Sequence, residues 1–236
     1  MSKLSEAEII ERLKKIDTPT ISNVVATYPR NDICLKLYDA WYGAWYTDTT
    51  IRCMYPEWEP RVGYVATVVY AERSDKYVGM DRWVLPDHID ATKKPVALVA
   101  QQDFPPALRS RVGLFGGNMT TQYKAQGVVA VVTDGPMRDL DEIRELGVQY
   151  FATGVTPGHG DMMIREVGVP VTVGGMTVMP GDMIHMDMHG VVKFPASKMD
   201  QVLENAEKLL EREEAGRKIF KEPGFSLAKW KASVKQ

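Results

Sequence analysis

Gly116–Asp139, GGNMTTQYKAQGVVAVVTDGPMRD, is the stretch whose reading decides the fold. A double glycine opens a turn and an amphipathic helix follows, over about 117–126. Val128–Thr133 is short, continuously apolar and rich in valine, as expected of a strand buried on both faces. The Gly135-Pro136 turn then throws Arg138 and Asp139 to that strand's carboxyl end, where α/β proteins place ligands.

Working outward, strand signals fall at Gly63–Tyr70, Val96–Gln101, Gln149–Ala152, Val171–Val173, Met183–Met188 and Val191–Phe194. The last two flank a Gly190 turn and read as a hairpin. Helix signals fall at 139–146 and 199–220. Near the start, Ser5 and Glu8 have the spacing of a capping box, and a second short helix is expected over Ile21–Ala26 with Thr20 or Ser22 near its cap. Residues 30–60 carry Trp41, Trp45 and Trp58 with little periodicity, as in an irregular excursion. The order strand, helix, strand, helix, strand, then consecutive strands, gives an α/β class mixing parallel and antiparallel pairs. The reading is one domain over 1–236. Residues 1–60 form a helical and irregular extension, and 199–236 a C-terminal helix and tail.

Composition narrows function. Charged residues make up 25% and the formal net charge is −2, so no basic surface for nucleic acid is expected. Cys34 and Cys53 form neither a disulfide framework nor a metal-ligand spacing. No apolar run approaches the length of a membrane span, and the first residues lack a secretory signal's apolar core, so a cytoplasmic location is expected.

Three sets of residues could carry chemistry. The turn Gly116-Gly117-Asn118-Met119 can aim backbone N–H groups at an anion, or it can be a plain tight turn. Arg138 can form a bidentate pair with a carboxylate, and Asp139 can be a hard oxygen ligand. Equally, Asp139 can cap the following helix while Arg138 makes a surface ion pair. His185, Asp187 and His189 alternate along one strand and could hold a transition metal. The favoured reading places them toward solvent, with Ile184, Met186 and Met188 on the core side. His159 is either catalytic or merely exposed in its loop, and exposure is the preferred reading.

VVTDGPMRDLDEIRELG, followed by FATGVTP and VPVTVGGMTVMPGDMIHMDMHGVV, resembles the RraA-like family over about residues 60–195. That family includes class II 4-hydroxy-4-methyl-2-oxoglutarate aldolases and the regulator of ribonuclease activity A. The resemblance implies an αββα sandwich like the phosphohistidine domain of pyruvate phosphate dikinase. It also implies a homotrimer or homohexamer with active sites at subunit interfaces. Carried over by motif, Arg138 would bind the substrate's oxo-acid end. Asp139 would hold Mg2+ or Mn2+, and Gly116, Gly117, Asn118 and Met119 would offer N–H groups to the pyruvoyl carboxylate. The implied chemistry is a divalent-metal-dependent lyase cleaving a 4-hydroxy-2-oxo diacid to pyruvate, with oxaloacetate decarboxylation as a companion activity. The alternative is a non-catalytic regulator that binds a ribonuclease or helicase. Aldolase members usually carry an acidic residue in the first turn, and the equivalent position here is Gly117. His159, or Glu213 or Glu214 from a neighbouring subunit, is a candidate replacement. Asn23 stands where relatives often have Asp.

Overall fold

The computed structural model describes residues 4–28, 31–74 and 77–234. Two helices come first, α1 (Glu6–Leu13) and α2 (Thr18–Val25). The two-residue strands β1 (Ala26–Thr27), β2 (Tyr38–Asp39) and β3 (Arg52–Cys53) punctuate the irregular stretch after them. The body follows as β4 (Arg61–Glu72), α3 (Val84–Ala91), β5 (Val96–Asp103), α4 (Pro106–Arg109), α5 (Gly117–Ala125), β6 (Val128–Thr133), α6 (Leu140–Leu146) and β7 (Gln149–Ala152). Next come β8 (Met162–Val167), β9 (Val171–Val173), β10 (Met176–Val178), β11 (Met183–Asp187) and β12 (Gly190–Phe194). Helices α7 (Met199–Lys221) and α8 (Leu227–Val234) are the last elements.

Eight strands form one sheet in the order β12-β11-β4-β5-β6-β7-β3, with β8 also on β4. Strands β4 to β7 are parallel neighbours, whereas β3, β8, β11 and β12 pair antiparallel. Strand β4 is long enough to serve two partners along one edge. Its Arg61–Tyr64 end pairs with β11 and its Val68–Glu72 end with β8. The sheet therefore curls toward a nearly closed barrel. The class is α/β with mixed sheets, as the segment order implied.

Alternation along the central strands explains why they read as continuous apolar runs. Ala66, Val68, Leu98, Ala100 and Val131 face a core that includes Leu85, Ile89, Phe115 and Ile143 from the helical side. Val65, Val69, Ala97, Val99, Ala130 and Val132 face the β9–β10 hairpin and Ile184 and Met186. Both faces are dry, and each fully buried Val, Leu, Ile or Phe contributes about 1.5–3 kcal/mol.

A third cluster packs α1, α2 and α7 over Val62, Met183, Val192 and Phe194. The Ser5–Glu8 capping box forms as the spacing required. Helix α2 starts earlier than the sequence indicated, because Asp17 caps it by accepting from Thr20 N–H at 2.8 Å. This helical layer overturns the solvent-facing reading of the His185-Asp187-His189 strand. His185 is fully buried and Asp187 nearly so. Thr18 N–H donates to Asp187 Oδ2 at 2.8 Å, and His185 lies 2.9 Å from Thr18 Oγ1 and 3.0 Å from Leu13 O. His189 stays half-exposed, and Met188, expected on the core side, is exposed. The N-terminal helices cover a face that strand periodicity alone assigned to water. Among the described residues no helix is long and apolar enough to cross a membrane.

Candidate functional site

The turn after β6 is threaded between two other segments. Met137 pairs in parallel fashion with Phe115 on one side and Val155 on the other. Arg138 N–H donates to Phe115 O at 2.9 Å, Met137 N–H to Gly154 O at 2.9 Å, and Thr156 N–H to Met137 O at 3.0 Å. These bonds continue the sheet past the carboxyl ends of its parallel strands and hold Arg138 and Asp139 on a rigid frame. The side chains border an open cavity of about 430 Å3 with Val155, Thr156 and Pro157.

Asp139 has φ +60° and ψ +45°. It shares the left-handed region with only one other non-glycine among the described residues, Lys36. Such a conformation is uncommon outside glycine, although Asp and Asn adopt it more readily than other residues. Asp139 does occupy the capping position of α6, but its side chain makes no cap bond there. It turns instead to a different helix. Its Oδ2 accepts from Gly117 N–H at 3.0 Å, at the first turn of α5, and lies 3.5 Å from Arg138 Nε. Gly116, extended at the start of α5, offers no capping side chain, so the carboxylate of Asp139 does that work from 22 residues away. A negative charge at a helix N-terminus is favoured by the free N–H groups and the helix dipole.

The Gly116–Met119 turn is thus partly spoken for. Gly117 N–H is taken by Asp139. The N–H groups of Asn118 and Met119 have no hydrogen-bond partner among the described residues, which leaves them for a ligand anion. A Cβ on Gly116 would overlap Asp139 Oδ2, and one on Gly117 would displace the Glu142 carboxylate from its present place. Glu142 is the residue that sequence reasoning missed. It is exposed on α6, and its carboxylate stands where a side chain at position 117 would begin. Its spacing of three from Asp139 on a helix start was the only signal in the sequence.

The other candidates lie elsewhere. His159 is exposed, with Nδ1 2.7 Å from Gly160 O, and does not border the cavity. Glu213 and Glu214 sit on the exposed part of α7, paired with Arg217 at 3.3 and 3.5 Å. Asn23 belongs to α2 in the other helical layer. A larger cavity, about 590 Å3, opens on the far side of α5 beside Tyr70, Met80, Met119, Tyr123 and Met163. Its lining is mainly apolar. Of its two arginines, Arg73 is paired with Asp161 at 2.9 Å and Arg82 lies over Trp83. It lacks the adjoining arginine and carboxylate of the Arg138 site, so chemistry favours the smaller cavity.

A family model, RraA-like (Aldolase/RraA), matches residues 34–193. The chain belongs to the RraA-like family. The stretch matched contains every residue of the Arg138 site. An uncharacterized protein of Methanocaldococcus jannaschii is 34% identical over 101 residues, 42% of this chain and 49% of its own, so the match spans about half that relative's length. Among solved structures, Streptomyces coelicolor RraAS2 is described as an unusual member of the RNase ES inhibitor RraA protein family. It superposes with a TM-score of 0.68 at 21% identity, over 92% of this chain and 100% of its own. A protein described among novel cellulases from microbes associated with the gut ecosystem gives a TM-score of 0.70 at 20% identity, over 91% and 89%. At these identities the likeness concerns fold.

The RraA-like aldolases imply Mg2+ or Mn2+, and the donor set here fits a hard, largely hydrated ion. Asp139 Oδ1 has no partner among the described residues and is an oxygen donor. No group of three or more His, Cys, Asp or Glu side chains that could hold a metal is present among the described residues. That suits an ion held by one carboxylate and water rather than by a protein cage.

Proposed function

We propose that this RraA-like protein is a divalent-metal-dependent carbon–carbon lyase. It would cleave a 4-hydroxy-2-oxo diacid to pyruvate and decarboxylate oxaloacetate through the same enolate. The observation that carries the reading is Asp139: a non-glycine residue held left-handed so that its carboxylate bridges Gly117 N–H and Arg138 at a cavity edge. The left-handed region is uncommon outside glycine, and here it comes with an arginine fixed beside the carboxylate.

Arg138 would grip the pyruvoyl end with its planar fork and stabilise charge on the enolate oxygen. Asn118 and Met119 N–H groups would hold the carboxylate at the start of α5. Asp139 would hold Mg2+ or Mn2+, with water completing the ion's shell. When bound, the ion would supply Lewis-acid polarisation of the 2-oxo group. The test is pyruvate release from oxaloacetate and from 4-hydroxy-2-oxo diacids with Mg2+ and then with EDTA. Metal-dependent release supports the reading, and its absence on both substrate types overturns it.

A second reading, a regulator that binds a ribonuclease, draws on the description of RraAS2 and on the glycine at position 117. The same assay separates the two. Self-association, as a trimer or hexamer, is part of the proposal: Trp41 and Tyr42 are more than 80% exposed and need a cover. Light scattering at micromolar concentration showing only monomer removes that part.

A further inference from the structure

We propose that Glu142 is the catalytic base of the cleavage, taking the proton from the substrate's 4-hydroxyl group. The inference rests on the lyase reading above.

Three observations carry it. First, the space beyond Gly117 is filled by a carboxylate from another helix: an added Cβ would meet Glu142 Oε2, and would lie 3.0 Å from Glu142 Cδ. Gly117 therefore does not leave the turn without an acid; it makes room for one. Second, the neighbouring carboxylate is already committed, since Asp139 Oδ2 holds Gly117 N–H and faces Arg138. Third, Glu142 has neither a hydrogen bond nor an ion pair among the described residues, and it is exposed with its carboxylate against Gly117 at the start of α5. Nearby Arg144, by contrast, is paired with Glu57. A carboxylate next to an anion-holding helix start, with no structural duty, is placed to accept a proton.

The step balances as follows. The 4-hydroxyl O–H bond breaks and its proton passes to the Glu142 carboxylate. The electron pair left on oxygen becomes the new carbonyl of the departing oxo-acid. The C3–C4 bond breaks, its pair forms the C2–C3 double bond, and the 2-oxo pair moves onto oxygen beside Arg138. The enolate then takes a proton from water to give pyruvate, and Glu142 returns its proton to solvent. Oxaloacetate decarboxylation reaches the same enolate by losing carbon dioxide and needs no hydroxyl proton removed.

That difference supplies the test. In the full-length protein, Glu142→Gln should lower kcat for hydroxy-diacid cleavage by about 100-fold or more, the scale of general-base catalysis. Its oxaloacetate decarboxylation should fall less than about threefold by the same measure. A double variant, Gly117→Asp with Glu142→Ala, should recover cleavage, because an acid returns to the same space from the other side. Equal loss of both activities in Glu142→Gln overturns the assignment, as does wild-type cleavage in that variant or no recovery in the double variant. Wild-type protein that cleaves no hydroxy-diacid under any metal condition overturns the lyase reading and this inference together. Wild-type protein that cleaves normally while Glu142→Gln is unimpaired removes only Glu142.

Discussion

Replacing Asp139 separates what its carboxylate does for the fold from what it does for chemistry. Its side chain, about 30% exposed, accepts a charge-assisted bond from Gly117 N–H at 3.0 Å. Bonds to charged groups contribute about 1.5–3 kcal/mol, and partial solvent access puts this one near the lower end, at about 1.5 kcal/mol. Alanine at φ +60° adds about 1 kcal/mol of backbone strain that Asp and Asn largely avoid. Asp139→Ala should therefore cost about 2–3 kcal/mol, and α5 should lose its tie to the α6 start. Asp139→Asn keeps an oxygen acceptor and tolerates the left-handed backbone, so it should cost about 1 kcal/mol or less. For a chain of this length those losses correspond to about 4–12 °C in Tm for alanine and below about 4 °C for asparagine. Both variants should nevertheless lose metal-dependent pyruvate release by about 100-fold or more, because neither presents a charged carboxylate. The assays are urea and thermal denaturation by circular dichroism, and initial pyruvate release with Mg2+. Wild-type turnover in Asp139→Asn would show that the charge is not used. An alanine variant as stable as wild type would show that the Gly117 bond is no tie.

Arg138→Lys keeps the charge but loses the two-donor fork, so kcat should fall by about 2–4 kcal/mol in transition-state terms with folding intact; an unchanged kcat refutes the assigned role. Phe115→Ala should cost about 3–5 kcal/mol by urea denaturation, since the ring is fully buried among Tyr70, Tyr123 and Tyr150, at centroid distances of 5.9, 6.1 and 6.0 Å; a loss below about 1 kcal/mol contradicts that packing. His185 gives the pH prediction. Burial holds its imidazole below the ordinary value of 6.5, so the unfolded chain protonates first as pH falls. Its contribution is complete above about pH 6.5 and is lost below it. Asp134 has the opposite sign, burial having pushed its carboxyl up to about 6, so its contribution fades as pH rises through that value. The stability gap between wild type and His185→Gln isolates the histidine and should narrow from pH 7.5 to pH 5.5; a gap that widens contradicts the burial.

How much of this molecule was legible in advance depended on how local the cause was. Strands β6, β7 and β9 carry the bounds read from sequence, because continuous apolar runs between turn residues are set within a few positions. Strand β8, Met162–Val167, escaped notice because its residues are only partly buried and two of its six side chains are charged. It is a strand because β4 is long enough to leave Val68–Glu72 in need of a partner. Helix α3 escaped for a related reason, with only Leu85 and Ile89 buried to mark its inner face. The misreading of His185 and Asp187 has a tertiary cause. Period-two alternation says which side chains share a face, but not whether a helix pair 170 residues earlier in the chain will cover it.

The site shows the same division more sharply. Arg138 and Asp139 could be picked out because a buried strand running into a Gly-Pro turn has to expose whatever follows. The choice between helix cap and working carboxylate could not be made there, since it depends on a backbone angle and on a bond to Gly117 in another segment. The same contact explains why the apparent defect at position 117 was misleading. In one dimension the turn lacks an acid, and the candidate replacements are His159 and Glu213 or Glu214 of the C-terminal helix. In three dimensions the first turns of α5 and α6 lie side by side, and the Glu142 carboxylate occupies the space where a side chain at 117 would start. An aspartate at 117 beside an intact Glu142 would crowd two like charges and should bring no gain in cleavage. A glycine at 117 leaves free the space that the Glu142 carboxylate fills. The two positions therefore form one unit, and the acid content of the site has to be counted across both.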